Sequence, residues 1–322
     1  MMTYRTLGRT GVQVSRLCFG TMSFGGDADA VTSAAMYKAT RDAGINFYDT
    51  ADQYNNGKSE EILGGLMKGH RDELVIATKC FNPTGPDRNA RGNSRRHVTR
   101  AVEASLKRLQ TDRVEILFLH QIDALTPIDE QMRALEDMVR SGKVLYPAFS
   151  NWSAWQTQKA LGVQEANGWA RVQVLQPMYN LVKRQAEVEI LPMAAANEIG
   201  VIPYSPGAAG LLSGKYSGQA SGRLKTNKMY ELRYGETWMF EVAERYAAFC
   251  KQRGLHPVSA AIAWVGAHPA ITAPIIGARN LEQLQASLDS VKIDMTPALR
   301  AEIAALSRTP PPATDRLEEQ KK

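Results

Sequence analysis

Seven short apolar runs of this chain each stop at a polar or glycine-bearing group. Ile45 to Tyr48 ends at Asp49, Leu74 to Thr78 at Lys79, and Ile116 to Leu119 at His120. Val144 to Phe149 ends at Ser150-Asn151, Val172 to Leu175 at Gln176, and Val201 to Pro203 at Tyr204-Ser205. Pro274 to Ile276 ends at Gly277-Ala278-Arg279, and Leu17 to Phe19 supplies an eighth run ending at Gly20-Thr21-Met22. Amphipathic stretches at about 28–42, 58–69, 95–110, 128–141, 153–165, 186–198, 237–253 and 280–290 separate them. Apolar runs alternating with helices predict parallel strands buried on both faces. Eight such units predict an α/β chain folded as a (β/α)8 TIM barrel, whose strand ends meet on one rim where active sites sit.

The length of 322 residues fits one barrel, and no linker divides it, so residues 1–322 read as a single domain. Residues 3 to 16 read as an N-terminal β-hairpin turning at Leu7 to Gly11, placed to plug the closed end. Gly44, Gly142 and Gly200, each between a helix and the next strand, read as helix C-caps. Residues 206 to 236, after the seventh strand, form a loop too long for an ordinary connection and read as a functional lid. Ala298 to Leu306 reads as a further helix, and 309–322 as a flexible tail.

The net charge of +6 is modest. The one basic cluster, Arg88, Arg91, Arg95, Arg96, His97 and Arg100, has no interleaved aromatics, which argues against nucleic acid. Cys18, Cys80 and Cys250 have neither metal nor redox spacing and read as free thiols in a reducing compartment. No zinc pattern, signal segment or long apolar span stands out, so no metal, no membrane and a cytoplasmic location are expected.

Asp49, Tyr54, Lys79 and His120 cluster at three successive strand ends. A cation beside a phenol lowers its pKa, so Lys79, oriented by Asp49, is expected to ready Tyr54 for proton donation. His120 would orient an incoming carbonyl oxygen. Taken singly, each residue also suits a cap, a turn or a solvated strand end; four together point to chemistry. Paired carboxylates for glycoside hydrolysis are absent from the rim.

The blocks Asp49-Thr50-Ala51-Asp52-Gln53-Tyr54, Gly57 to Gly64, Ser105 to Asp112 with Ile116 to His120, and Gly142-Lys143-Val144 with Phe149 to Trp152 resemble the aldo-keto reductase superfamily. So do Tyr204-Ser205-Pro206 through Gly210 to Tyr216, and Pro274 to Asn280 with Glu282-Gln283-Leu284. In detail they are most similar to bacterial members and the potassium-channel β-subunit-like branch. The resemblance implies NADPH as cofactor, with NADH possible, and reduction of a small aldehyde or ketone. It implies Tyr54 as general acid, Lys79 and Asp49 as its tuning pair, and His120 as the carbonyl-orienting group. Among cofactor contacts, it implies Thr21, Met22, Asp49, Ser150, Asn151 and Gln176 at the nicotinamide, with Tyr204 as the stacking aromatic. Ser205, Pro206, Gly207, Ala208, Lys215 and Arg223 would surround the pyrophosphate. Gly277, Arg279, Gln283 and Ser287 would hold the adenosine end, with Arg279 on a 2′-phosphate. Ala286 and Ser287 depart from the family's usual Glu and Asn, and Ala148 from a common glycine. Met22, Phe24, Trp152, residues 81 to 94 and residues 206 to 236 are expected as pocket walls. The alternative the resemblance carries is a regulatory or interaction subunit with vestigial reductase activity. The substrate, the reaction direction and the oligomeric state stay open.

Overall fold

The computed structural model describes residues 2–216 and 228–318. Strands β1 (Tyr4–Thr6) and β2 (Gln13–Ser15) pair as an antiparallel hairpin. The other eight run parallel: β3 (Cys18–Gly20), β4 (Phe47–Asp49), β5 (Val75–Cys80), β6 (Val114–Leu119), β7 (Val144–Ser150), β8 (Val174–Gln176), β9 (Gly200–Val201) and β10 (Ile275–Ile276). Their order is β10-β3-β4-β5-β6-β7-β8-β9. Backbone hydrogen bonds from Thr272 to Val201 (2.8 Å) and from Ile275 to Pro203 (2.9 Å) join the two edges. The sheet is therefore a closed (β/α)8 barrel, as the alternation of runs and helices predicts.

Strand pleating decides which side chains enter the lumen. Cys18, Phe47, Ala77, Phe118, Ala148, Val174, Ile202 and Ile275 pack together inside it. The intervening Phe19, Tyr48, Ile76, Leu117 and Leu175 turn outward into the larger core beneath the helices. Two residues beyond each lumenal apolar residue stand Gly20, Asp49, Lys79, His120, Ser150, Gln176, Tyr204 and Gly277. One apolar layer is thus capped by one polar or open layer, and the polar layer lies at the C-terminal rim.

The hairpin closes the opposite end. Its Leu7 and Val14 are fully buried and join the lumenal cluster. Gly8 sits at φ +52°, where a Cβ would stand 2.9 Å from Gln173 O and Gly200 N. Gly44 (φ +84°) and Gly142 (φ +72°) follow helices in the left-handed conformation as expected. Gly200 does not cap a helix: Glu198 takes the left-handed position there, and Gly200 opens β9 against the backbone of Gly8.

The helices follow the sequence pattern with two additions. Pro257–Gly266 is a helix whose residues from Ser259 onward are all buried, so it shows no amphipathic period. Lys228–Tyr234 is a helix inside the long segment after β9, which also holds a short turn of helix at Ala208–Ser213. Residues 217–227 of that segment, Arg223 among them, lie outside the described residues, as do 319–322. The expected helix near 298–306 runs Pro297–Ala305, capped by Thr296. Among the described residues, no helix is long and apolar enough to cross a membrane.

Candidate active site

Asp49, Lys79 and His120 reach the rim because each lies two residues above a lumenal apolar side chain on neighbouring strands. Lys79 is fully buried and donates to Asp49 Oδ2 at 2.6 Å and to Thr50 O at 2.7 Å. Its third donor points at the Tyr54 hydroxyl, 3.3 Å away. Asp49 Oδ1 accepts from Gln176 Nε2 at 2.9 Å. Both carboxylate oxygens are therefore engaged, and the lysine is aimed by a partner that is itself held.

Burial works against the charge on Lys79, but Asp49 and Tyr54 outweigh it and raise its pKa, so it remains an ammonium. Burial raises the Tyr54 pKa above 10, and the nearby lysine only partly offsets this. The lysine acts in the direction the sequence predicts, yet the net shift is upward because the phenol lies deep in the cleft. A phenol held protonated, touching a fixed cation, is poised to give its proton to an oxygen that is gaining charge.

His120 meets Tyr54 edge-on, ring centres 6.2 Å apart. Burial, then the charge of Lys79, pushes its pKa down to about 3, so the ring is neutral. Asn82 Nδ2 lies 3.4 Å from His120 Nδ1. An amide nitrogen only donates, which places the ring proton on Nε2 and frees that N–H for an acceptor in the cleft.

Tyr54 opens a tight turn in which Asn55 (φ 50°), Asn56 (φ 55°) and Gly57 (φ 88°) are all left-handed. Asn55 Nδ2 donates to Met22 O at 2.9 Å and Phe24 O at 2.7 Å. The amide fills the space where a side chain on Gly26 would go. The tyrosine turn and the loop after β3 are thus bolted together. Neither Asn55 nor Asn82 stands out in the sequence, because both act through loop geometry rather than strand register.

Several further predicted positions line the same rim. Ser150 Oγ donates to Gln176 O at 3.0 Å. Asn151, left-handed at φ 60°, donates to His120 O at 2.9 Å and accepts from the Tyr204 hydroxyl at 2.7 Å. Ser205, Ala208 and Ala209 also have positive φ, and Gly207 faces open space. A Cβ on Gly210 would come 3.3 Å from Lys215 Nζ, so the ammonium stands over that turn. Gly277 is exposed and Arg279 partly so, just before helix Leu281–Leu288. Gln283 Oε1 accepts from the Arg279 backbone at 3.2 Å.

Two predicted contacts are turned inward. The buried Thr21 hydroxyl bonds Asp49 O and Ser59, and the buried Ser287 hydroxyl reaches back to Gln283 O. Met22, by contrast, is 49% exposed at the rim. Trp152 stacks on Phe149 with ring centres 3.9 Å apart. Helix Lys228–Tyr234 brings Arg233 within 5.9 Å of the Tyr204 and Tyr230 ring centres. Among the described residues, no group of three or more His, Cys, Asp or Glu is placed to hold a metal ion.

The fit to a nicotinamide dinucleotide rests on this donor set. Amide and hydroxyl groups gather at Ser150, Asn151 and Gln176 beside an aromatic, and a left-handed turn under an ammonium lies next to them. A helix N-terminus with an arginine completes the rim.

Fold and rim together define a class: a (β/α)8 barrel with a buried lysine–carboxylate pair set beneath a tyrosine. The chain belongs to the aldo/keto reductase family, whose profile matches residues 16–308. It is 40% identical over 306 residues to the uncharacterized oxidoreductase YrpG of Bacillus subtilis, covering 91% of this chain and 92% of that one. It is 33% identical to a probable voltage-gated potassium channel subunit beta of Oryza sativa, across 98% and 99% of the two chains. Versiconal hemiacetal acetate reductase of Aspergillus parasiticus is 31% identical across 92% and 94%. Membership places the chain among oxidoreductases linked to NADP(H).

Proposed function

We propose that this chain, as one barrel domain, reduces a small aldehyde or ketone to the alcohol with NADPH. The observation that carries the reading is the contact of Lys79 Nζ with both Asp49 and the Tyr54 hydroxyl. The bound nicotinamide would supply the hydride to the carbonyl carbon. Tyr54 gives its proton to the carbonyl oxygen, and Lys79 stabilises the phenolate left behind. His120 Nε2–H donates to the same oxygen and aligns it before transfer. Ser150, Asn151 and Gln176 hold the carboxamide, and Tyr204 stacks on the ring. To do so, Asn151 exchanges its bond from the Tyr204 hydroxyl for one to the carboxamide.

Ser205, Pro206, Gly207, Ala208, Lys215 and Arg223 take the pyrophosphate; Gly277, Arg279 and Gln283 take the adenosine end, with the inward-turned Ser287 beneath them. Arg279 favours NADPH over NADH through a 2′-phosphate.

Fluorescence titration with each nucleotide, then NADPH oxidation across an aldehyde panel, tests this. Binding with turnover that Tyr54→Phe reduces by about 10²–10⁴-fold supports it. Similarity to the rice channel subunit favours a second reading, a cofactor-binding interaction subunit. Tight binding with no turnover on any carbonyl would select that one.

A further inference from the structure

Beside the tyrosine turn, on residues other than the lysine–carboxylate pair, lies a second cavity of about 180 Å³. It is lined by Asp52, Thr84, Ala90, His97, Arg100, Ala101, Ala104 and Arg108. Asp52 is 3% exposed, and its carboxylate oxygens have no side-chain partner among the described residues, with the Gln53 backbone N–H the only hydrogen-bond donor favouring its charged form. His97, 2% exposed, likewise leaves Nε2 without a partner among them. Buried polar atoms are normally hydrogen-bonded, so three such atoms on one small cavity mark it as built for something. The neighbouring Glu60 shows the contrast. Its oxygens accept from Thr78 Oγ1 at 2.5 Å and Arg108 Nε at 2.7 Å, leaving neither idle.

The same lining also carries two cations. Arg108 uses Nε on Glu60 and Nη2 on Ser105, and Arg100 pairs with Asp87 at 3.7 Å. An anionic ligand would suit the arginines but face the Asp52 carboxylate; a cationic one would suit Asp52 but face the arginines. A hydroxyl both donates and accepts without charge. The volume equals about six waters, the size of a molecule with roughly six non-hydrogen atoms.

We propose that this cavity is a second binding site, for a small neutral polyol. Adjacent hydroxyls donate to Asp52, and their oxygens accept from the two arginines, with His97 Nε2 as a further partner. Burial and the charge of Glu60 push the Asp52 acid up to about 7, so near neutrality it offers both a donor and an acceptor, as a polyol requires. This inference does not rest on the carbonyl-reductase reading: Thr84 and Ala90 fall in the segment expected as a pocket wall, but none of the lining residues is among those placed in catalysis or cofactor binding.

The test is titration of the isotope-labelled full chain with erythritol, followed by NMR, with 1-butanol as a control of similar size. Saturable shifts confined to Asp52 and its neighbours, Thr84–Ala90 and helix Arg95–Leu109, absent with butanol, are expected. Asp52→Ala and Arg100→Ala should each weaken binding at least about tenfold. Arg100 is exposed, so its variant reports even if Asp52→Ala does not fold. Equal shifts with butanol, erythritol binding indifferent to both substitutions, or bound water that no polyol displaces would each overturn the proposal.

Discussion

At its closed end the barrel is fixed by apolar contact and close backbone packing, whereas at its open rim it is fixed by charge and by strained backbone. Leu7 and Val14 fill the closed end, with Gly8 pressed onto Gly200. The rim carries a buried ion pair and left-handed conformations at Asn55, Asn56, Asn151, Ser205, Ala208 and Ala209. Strain of this kind costs on the order of 1–3 kcal/mol per residue and persists only where the surroundings impose it. Gln110 and Glu198, before β6 and β9, are left-handed at the other end, so it is the excess at the rim that marks that end as shaped for a ligand. Substitutions at the two ends should therefore separate: the first should move stability alone, the second should move binding and turnover.

The largest effect is expected at Lys79, where the two roles overlap. Lys79→Met leaves Asp49 buried with only Gln176 as partner, at a cost of about 3–5 kcal/mol. Denaturant unfolding should show that loss, and adding Asp49→Asn should restore most of it. Turnover should stay low in both variants, because the tyrosine has lost its cation. A double variant no more stable than the single one would mean that the pair is not the source of the loss.

Gly8→Ala probes the other end. The left-handed backbone alone costs roughly 1–3 kcal/mol, and the contacts with Gln173 and Gly200 add to it. The unfolding midpoint should fall while KM and kcat of the folded protein hold. A changed KM would show that the two ends are coupled rather than separate.

The division explains what the sequence makes legible. A two-residue step up from each lumenal apolar position reaches the rim, so strand pattern alone locates Asp49, Lys79, His120, Ser150, Gln176 and Tyr204. Helix Pro257–Gly266 escapes the same logic because burial on all sides erases its period. Asn55, Asn82 and Asp52 escape it because loops, not strands, aim them. Gly200 misleads because a glycine before a strand serves a cap and a close approach equally well. The upward shift of Tyr54 is likewise invisible to spacing: it depends on how deeply the phenol lies, which only packing settles.

His120 offers a smaller, pH-dependent test of the rim. Its folded pKa, near 3, lies below the ordinary 6.5, so the unfolded chain takes up the proton first. The stability it contributes is complete above about pH 6.5 and is lost as pH falls toward 3. Between pH 5 and 8 its ring resonances should not titrate, and the pH profile of kcat/KM should show no inflection from it. An NMR midpoint near 6.5 would place the ring in open solvent and remove the argument for a neutral Nε2 donor.

The smallest change in stability, and the sharpest test of the comparison, belongs to Asn55→Gly. The substitution removes two hydrogen bonds worth about 0.5–1.5 kcal/mol each. It also relieves a left-handed residue, returning strain of about 1–3 kcal/mol. The net effect on the unfolding midpoint should therefore be slight. The loop after β3 nevertheless loses its bolt to the tyrosine turn, and that loop carries Met22 at the rim and Phe24 in the core beneath it. KM for a bulky carbonyl should rise about three- to tenfold, the equivalent of one lost hydrogen bond, with kcat nearly constant. If kcat falls while KM holds, Asn55 positions Tyr54 rather than the pocket wall. If stability falls by several kcal/mol, the rim at this point is held as the closed end is, and the division between the two ends fails there.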